Sequence, residues 1–133
     1  MAQIYLVEDD EGVTEPLAGF LIKRGHKVYA FDSATRALEF LKVGPVPDVV
    51  LLDLLLRADM NGWQFIEEVR RMRDPVRAQV PIIAMSAAAL TDAERRQLKA
   101  DAFLPKPFEL MPLLGLIDLF AGLSDGKSPE PDA

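Results

Sequence analysis

The sequence contains no cysteine, which excludes disulfide bonds and thiolate metal ligands. It also lacks a long apolar run, because proline, glycine or charge interrupts every hydrophobic stretch, and no membrane span is expected. Basic residues are the minority, with 15 Lys and Arg against 21 Asp and Glu, and the net charge of -6 argues against nucleic acid as the main partner. Met1–Val7 carries no basic segment, so we expect no signal peptide and a cytoplasmic protein.

The sequence does have enough apolar side chains for one folded domain. Half of its 133 residues are hydrophobic, and this length suits a single domain. We predict that residues 1–122 form that domain. Residues 123–133 are rich in proline, serine and acids and have no apolar anchor, which predicts a disordered C-terminal tail.

Short apolar runs alternate with amphipathic segments along the chain. The predicted strands are Gln3–Val7, Lys27–Phe31, Asp48–Leu56, Val80–Met85 and Ala102–Leu104. Apolar positions at helical spacing lie between and after them, over Val13–Leu21, Ala34–Leu41, Phe65–Met72, Leu90–Ala100 and Glu109–Ala121. The (βα)5 pattern predicts an α/β fold, a parallel five-stranded sheet with helices on both faces. A functional site is then expected at the carboxyl ends of the strands.

Two prolines bear on where the first and last helices begin. Pro112 lies in a first turn, where proline is tolerated, if Glu109 caps the last helix. Pro16 is equally harmless if the first helix begins near Thr14. A start at Glu11 would place Pro16 inside the helix and distort it. The sequence leaves this second choice open.

Polar side chains follow four of the five predicted strands. They are Glu8, Asp9 and Asp10 after the first strand, Asp53 at the end of the third, Ser86 at the end of the fourth and Lys106 after the fifth. Carboxylates that lie close together repel one another, and a bound Mg²⁺ would relieve the repulsion, because this hard cation prefers oxygen ligands. A carboxylate beside such an ion can attack a phosphoryl group, and a lysine and a hydroxyl can stabilise the transferred charge.

This chemistry gives each residue an expected role. Asp53 is the expected nucleophile, Glu8 and Asp9 the metal ligands, Lys106 the phosphoryl partner and Ser86 a hydrogen-bond donor. Two other interpretations stay open for the acids. Asp9 and Asp10 could form the working pair, or the whole cluster could simply favour the N-terminus of a helix.

Five segments together resemble the receiver domain of bacterial response regulators. They are IYLVEDDE (Ile4–Glu11), PDVVLLDLLL (Pro47–Leu56), NGWQFIEEVR (Asn61–Arg70), VPIIAMSA (Val80–Ala87) and DAFLPKPFEL (Asp101–Leu110). The resemblance implies a doubly wound, flavodoxin-like fold with strand order 2-1-3-4-5. It also implies a two-component phosphoprotein that takes a phosphoryl group with Mg²⁺ from a histidine kinase or histidine phosphotransfer protein. Such a domain is no enzyme with an external substrate, although it takes part in its own phosphotransfer and autodephosphorylation.

Further roles come from the resemblance alone. It makes Asp53 the phosphoacceptor and Ser86 the switch hydroxyl, and it adds the Leu55 backbone carbonyl as a metal ligand. It makes Phe103 the aromatic that rotates between states, although core packing explains that residue almost as well. It also predicts a cis peptide bond between Lys106 and Pro107. Since no output domain is recognisable, a stand-alone receiver with a separate output protein is expected.

The sequence departs from the family pattern at three places. Arg57 stands where the family usually has proline, and Gly62 comes one residue later than usual, so the loop Arg57–Asn61 should differ in shape. Phe103 lacks the hydroxyl of the common tyrosine. Lys99 replaces a glycine. None of these changes removes a predicted site residue.

Other parts of the sequence bear on partners and on competing functions. The last helix is apolar nearly all round, which indicates a homodimer or partner surface, or a tail folded over it. His26, the only histidine, is expected in an exposed loop. A haloacid-dehalogenase-like phosphohydrolase needs an acid at position 55, where this chain has leucine. A receiver-like binding module that never uses phosphate is the remaining alternative.

Overall fold

A computed structural model of the chain describes the backbone of residues 1–125 and the side chains of residues 1–122. Its strands are β1 (Gln3–Val7), β2 (Lys27–Phe31), β3 (Val49–Asp53), β4 (Ile82–Ser86) and β5 (Ala102–Pro105). Its helices are α1 (Glu11–Lys23), α2 (Ala34–Val43), α3 (Gly62–Arg70), α4 (Pro75–Ala78), α5 (Asp92–Gln97) and α6 (Leu110–Asp125). Within the described residues, no helix is both long and apolar enough to cross a membrane.

The five strands form one parallel sheet in the order β2-β1-β3-β4-β5. This confirms the predicted fold class and strand order. Because all strands run the same way, their carboxyl ends meet at one edge. The pairing sets Val7 beside Leu52 and Asp53 beside Met85, so the polar residues after these strands share that edge.

Two apolar cores cover the two faces of the sheet. Even the central strand β3 is buried along its full length, and its successive side chains point to opposite faces. Val50 and Leu52 pack in one core, whose helical residues come from α2 and α3. Val49 and Leu51 pack in the other, against α1 and α6. A strand buried on both faces must be apolar throughout, which explains why the sequence here does not alternate.

The structure contains one helix that the periodicity did not predict. Helix α4 has four residues and no buried side chain, so it leaves no apolar stripe in the sequence. The local sequence nevertheless has signals for a helix start, because the Asp74 side chain accepts from the Val76 N–H and Pro75 occupies the first helical position.

Strand β3 ends at Asp53, the residue predicted to end it, because within the apolar segment Asp48–Leu56 the Leu55 N–H turns back to the Asp53 side chain. One predicted helix was too long. Helix α5 is only six residues long, against the predicted Leu90–Ala100. Thr91 caps its start, and Leu98 at its end has extended backbone. Leu90 and Leu98 therefore flank the helix and pack against the core from outside it.

The two prolines have different settings. Helix α1 begins at Glu11 with Asp10 as its N-cap, so Pro16 lies inside it and gives the Gly12 carbonyl no helical donor. Pro112 is the third residue of α6, in the first turn, as predicted. Helix α6 extends to Asp125 and so includes the first three residues of the predicted tail. Residues 126–133 lie outside the described part of the chain.

Helix α3 begins directly against the end of β3. The Asn61 side chain caps the helix by accepting from the Gln64 N–H, and the Gln64 side chain accepts from the Asn61 N–H. Gly62 lies so close to β3 that an added Cβ would be 2.5 Å from the Leu54 Cα and 2.6 Å from the Asp53 carbonyl oxygen. A side chain here would push α3 away from the strand that carries Asp53.

We therefore expect Gly62→Ala to lower the free energy of unfolding by about 1–3 kcal/mol through overpacking. Gly19→Ala is the matched control, because a Cβ at Gly19 in helix α1 meets nothing within 4 Å. That change should be neutral or stabilise by about 0.5–1 kcal/mol. Urea denaturation of both variants measures the difference, and equal stabilities would contradict the close approach at Gly62.

Candidate functional site

The Lys106 ammonium lies between two buried carboxylates at the carboxyl edge of the sheet. Its Nζ is 2.7 Å from Glu8 Oε1 and 3.4 Å from Asp53 Oδ2. The side chains of Glu8 and Asp53 are only 1% and 8% exposed. One cation thus joins residues that follow or end strands β1, β3 and β5, and the sequence-based prediction that they meet is correct.

Asp9 completes a group of three carboxylates. Oxygen atoms of Glu8, Asp9 and Asp53 lie within 4.8 Å of one another. Asp10 points elsewhere, because its side chain accepts from the Gly12 N–H as the cap of α1. The geometry favours Glu8 and Asp9 over the alternative pair of Asp9 and Asp10. Three clustered oxygen donors fit a hard divalent cation such as Mg²⁺.

The backbone just after β3 fixes the direction of the Asp53 side chain. The Leu55 N–H donates to Asp53 Oδ1 over 3.0 Å, and the Leu54 N–H donates to the Met85 carbonyl over 2.9 Å. Asp53 Oδ2 is left to face Lys106. The chain turns sharply here and carries the half-exposed Leu55 side chain outward.

Ser86 lies at the end of β4, the strand that pairs with β3. The residue is 1% exposed, and its Oγ accepts from the Ala88 N–H over 3.1 Å. Its carbonyl accepts from the Lys106 N–H over 2.8 Å, which ties the ends of β4 and β5 together. The Lys106–Pro107 peptide bond that follows is cis, as predicted.

Phe103 is half-buried on strand β5. It packs against the core on the side of α2 and α3, and the Arg95 guanidinium carbon lies 5.1 Å from its ring centroid. This contact links the aromatic ring to helix α5. It is compatible with both the core-packing and the switching interpretation of Phe103.

Burial and the contacts between Lys106 and its carboxylate partners act in opposite directions on the pKa values of Glu8 and Lys106. Burial raises the pKa of the Glu8 carboxyl above 4.5 and the Asp53 charge raises it further, although the Lys106 hydrogen bond opposes both. Burial also acts to lower the pKa of Lys106, but the hydrogen bond and charge of Glu8, with the charge of Asp53, outweigh it and leave that pKa raised. Lys106 therefore stays protonated at neutral pH.

Arg57 is a site neighbour whose contact the sequence did not reveal. Its backbone N–H donates to Asp9 Oδ2 over 3.1 Å, and its Nε lies 3.4 Å from the same oxygen. The sequence marked Arg57 only as a departure from the family pattern. The contact depends on how the loop Arg57–Asn61 folds back, which no spacing rule gives.

His26 is not the exposed loop residue that the sequence predicted. It is half-buried, and its Nδ1 accepts a hydrogen bond from the Ala2 N–H over 3.1 Å. Burial lowers the pKa of the imidazole despite the opposing charge of Asp118. His26 thus joins the start of β1 to the turn before β2.

Comparison with known proteins assigns the family. The sequence profile of the response regulator receiver domain matches residues 4–118, so this chain belongs to the receiver domain family of response regulators. Sensory transduction protein RegX3 of Mycobacterium bovis is 32% identical over 120 residues, which cover 88% of this chain and 49% of RegX3. Sensor kinase CckA of Brucella abortus is 34% identical over 116 residues, 84% of this chain and 12% of CckA.

A solved relative bears on the metal. The receiver domain of a sensor histidine kinase from Pseudomonas aeruginosa PAO1 is 25% identical and superposes with a TM-score of 0.80. The match covers 91% of this chain and 98% of that domain, which was crystallised with a magnesium ion coordinated in its active site cleft. Receiver domains thus bind Mg²⁺ in the active site, and this chain has a fitting acidic cluster. The chain spans about half the length of the RegX3 relatives it matches.

The raised pKa of Glu8 predicts how stability depends on pH. The Glu8 carboxyl holds its proton more tightly in the folded state than in the unfolded state. The free energy of unfolding therefore falls as the pH rises from the ordinary pKa of 4.5 through the raised pKa. In the absence of metal, the Glu8→Gln variant should not show this fall of the free energy of unfolding with pH. Urea denaturation across a pH series in EDTA measures it, with Glu39→Gln, on an exposed part of α2, as the control. An unchanged slope in Glu8→Gln would contradict the shift.

Proposed function

We propose that this chain is a response regulator receiver that accepts a phosphoryl group on Asp53 and switches a protein-interaction surface. The observation that carries this proposal is the Lys106 ammonium held between the buried carboxylates of Glu8 and Asp53. A buried acid at a sheet edge is costly unless it is paired. Here the pairing cation stands where charge on a phosphoryl group attached to Asp53 would develop.

The proposed reaction is transfer from a phosphohistidine of a histidine kinase or histidine phosphotransfer protein. An Asp53 carboxylate oxygen attacks the phosphorus atom, the phosphorus–nitrogen bond breaks, and the imidazole leaves with its electron pair. The product is an acyl phosphate on Asp53. Lys106 contributes a positive charge to the phosphoryl oxygens, and the Ser86 hydroxyl, whose oxygen accepts from the Ala88 N–H, donates its proton to one of them.

The carboxylates of Glu8, Asp9 and Asp53 would hold Mg²⁺, together with the Leu55 backbone carbonyl. When bound, the ion neutralises negative charge on the carboxylates and on the incoming phosphoryl group. The protein's own part is to keep the three carboxylates within 4.8 Å of one another at an edge that the partner can reach.

The switch would start from the same contacts. A phosphoryl group on Asp53 draws Ser86 and Lys106 toward its oxygens, which changes the hydrogen bonds at the ends of β4 and β5. Phe103 lies on β5 under Arg95 and would report the change to helix α5 and the nearby surface. A protein surface that recognises this changed region would then carry the output.

Helix α6 offers a second surface for a partner or a homodimer. It exposes Leu110, Met111 and Leu119, which are 39%, 68% and 55% accessible. Leu113, Leu114 and Ile117 of the same helix are buried in the core. The helix is therefore apolar on its covered side and on part of its outer side, which supports the proposed interface.

A phosphorylation-independent interaction module is the second candidate. The observation in its favour is that Lys106 and Arg57 already pair with all three carboxylates, so two of the three negative charges are offset without a metal. A phosphohydrolase is disfavoured, because Leu55 occupies the position where such an enzyme needs an acid. Repeated turnover of added phosphoesters would support a phosphohydrolase, whereas stoichiometric labelling supports a phosphoacceptor.

Beryllofluoride with Mg²⁺ tests the leading proposal directly, because it mimics a phosphoryl group on an aspartate. The wild type should change conformation, seen as shifted amide resonances in β4, β5 and α5. Asp53→Asn and Asp53→Ala should show no such change, since they lack the acceptor carboxylate. A wild type that responds to neither Mg²⁺ nor beryllofluoride would refute the leading proposal and favour the second candidate.

The α6 surface has its own test. Met111→Glu places a charge on the proposed interface and should abolish self-association, measured by light scattering with beryllofluoride and Mg²⁺. Val76→Glu is the matched control, because Val76 is 65% exposed on α4 and Met111 is 68% exposed. Equal masses for wild type and Met111→Glu, with or without beryllofluoride, would rule out a homodimer through this surface.

A further inference from the structure

We infer that Arg57 is a built-in counter-charge that competes with Mg²⁺ for Asp9 and thereby sets how tightly the site binds the ion. The inference rests on the proposed function, because it concerns regulation of the same carboxylate site. Arg57 is also a residue at which the chain departs from the family pattern.

Both contacts of Arg57 converge on one atom. The backbone N–H and the side-chain Nε reach the same Asp9 oxygen, Oδ2, over 3.1 and 3.4 Å. Asp9 is also one of the three carboxylates that would hold the ion. An ion that uses Asp9 must therefore displace these contacts or share the carboxylate with a positive charge.

The charges of the site divide between two cations. Lys106 pairs with Glu8 and Asp53, and Arg57 is the one cation paired with Asp9 among the described residues. The two differ in burial: the Lys106 side chain is 20% exposed, whereas that of Arg57 is 80% exposed. Lys106 is built into the site, while Arg57 rests on its open side and can leave without opening a cavity.

This exposure sets the size of the effect. An exposed ion pair in water contributes little, so loss of the Arg57 charge should tighten Mg²⁺ binding only about two- to fivefold. The effect should shrink at high ionic strength, because salt screens exposed charges. Arg57 would thus tune the affinity and would not block the site.

The same residue links the site to the loop that follows β3. Arg57 opens the segment that leads to Asn61, the cap of α3, and to Trp63 in the first turn of that helix. Trp63 is the only tryptophan and is half-buried against the core. Release of Arg57 by the metal should free this segment, and the emission of Trp63 can report it.

The experiment is a Mg²⁺ titration of the unphosphorylated protein, followed by Trp63 fluorescence and by calorimetry. Arg57→Gln keeps much of the side-chain length without the charge and should lower the dissociation constant about two- to fivefold. Arg57→Lys restores the charge and should return toward the wild-type value. The comparison is repeated at high salt, where the gap between Arg57→Gln and wild type should narrow.

Arg36→Gln is a stringent control. Arg36 is 73% exposed and pairs with Asp32 over 3.7 Å, and it lines a cleft that Glu8 also lines. The change removes the same charge at a comparable exposure, but it does not touch Asp9. Its Mg²⁺ affinity should stay at the wild-type value.

Several results would overturn the inference. If the Mg²⁺ dissociation constant of Arg57→Gln equals or exceeds that of the wild type, Arg57 does not compete with the ion. Equal tightening in Arg36→Gln would show a general charge effect. In both cases a wild type that binds Mg²⁺ and responds to beryllofluoride leaves the proposed function intact. If neither wild type nor Arg57→Gln binds Mg²⁺, the proposed function and the inference fail together.

Discussion

The contact of Lys106 with Glu8 and Asp53 is the constraint on which the site depends. Two buried carboxylates a few ångströms apart repel each other, and burial makes the charged forms still less favourable. The Lys106 ammonium offsets this cost, and the two carboxylates in turn raise the pKa of Lys106 and keep it protonated. Because the three residues come from β1, β3 and β5, the contact also requires the parallel sheet with its strand ends aligned.

The rest of the fold supplies the precision that this contact needs. Strand β3 is buried on both faces, so the end that carries Asp53 is held from each side by a packed core. Gly62 allows α3 to begin against the backbone of Leu54 and Asp53. The Lys106 N–H bond to the Ser86 carbonyl fixes the neighbouring strand ends. Small displacements in any of these layers would change the distances among the charged atoms.

The site has a buried half and an open half with different tasks. Glu8, Asp53 and Ser86 are nearly inaccessible and keep a fixed arrangement of charged and hydrogen-bonding groups. Asp9, Leu55 and Arg57 lie on the open side, where an ion, a phosphoryl donor or solvent can arrive. A receiver needs both properties, because the acceptor must be positioned before the partner meets it and must still be reachable.

The sequence by itself determined the five strands, their parallel direction and the residues at their ends, because buried strands and strand-terminal acids leave local signals. The order of the strands came from the family resemblance. It could not determine helix α4 or the true length of α5, because neither helix buries a side chain and both lack an apolar stripe. Only the tertiary structure decided that Asp10 caps α1 while Glu8 and Asp9 face Asp53, since that depends on where the helix begins. It also placed Arg57 on Asp9, because a loop's path is set by contacts between residues far apart in the chain.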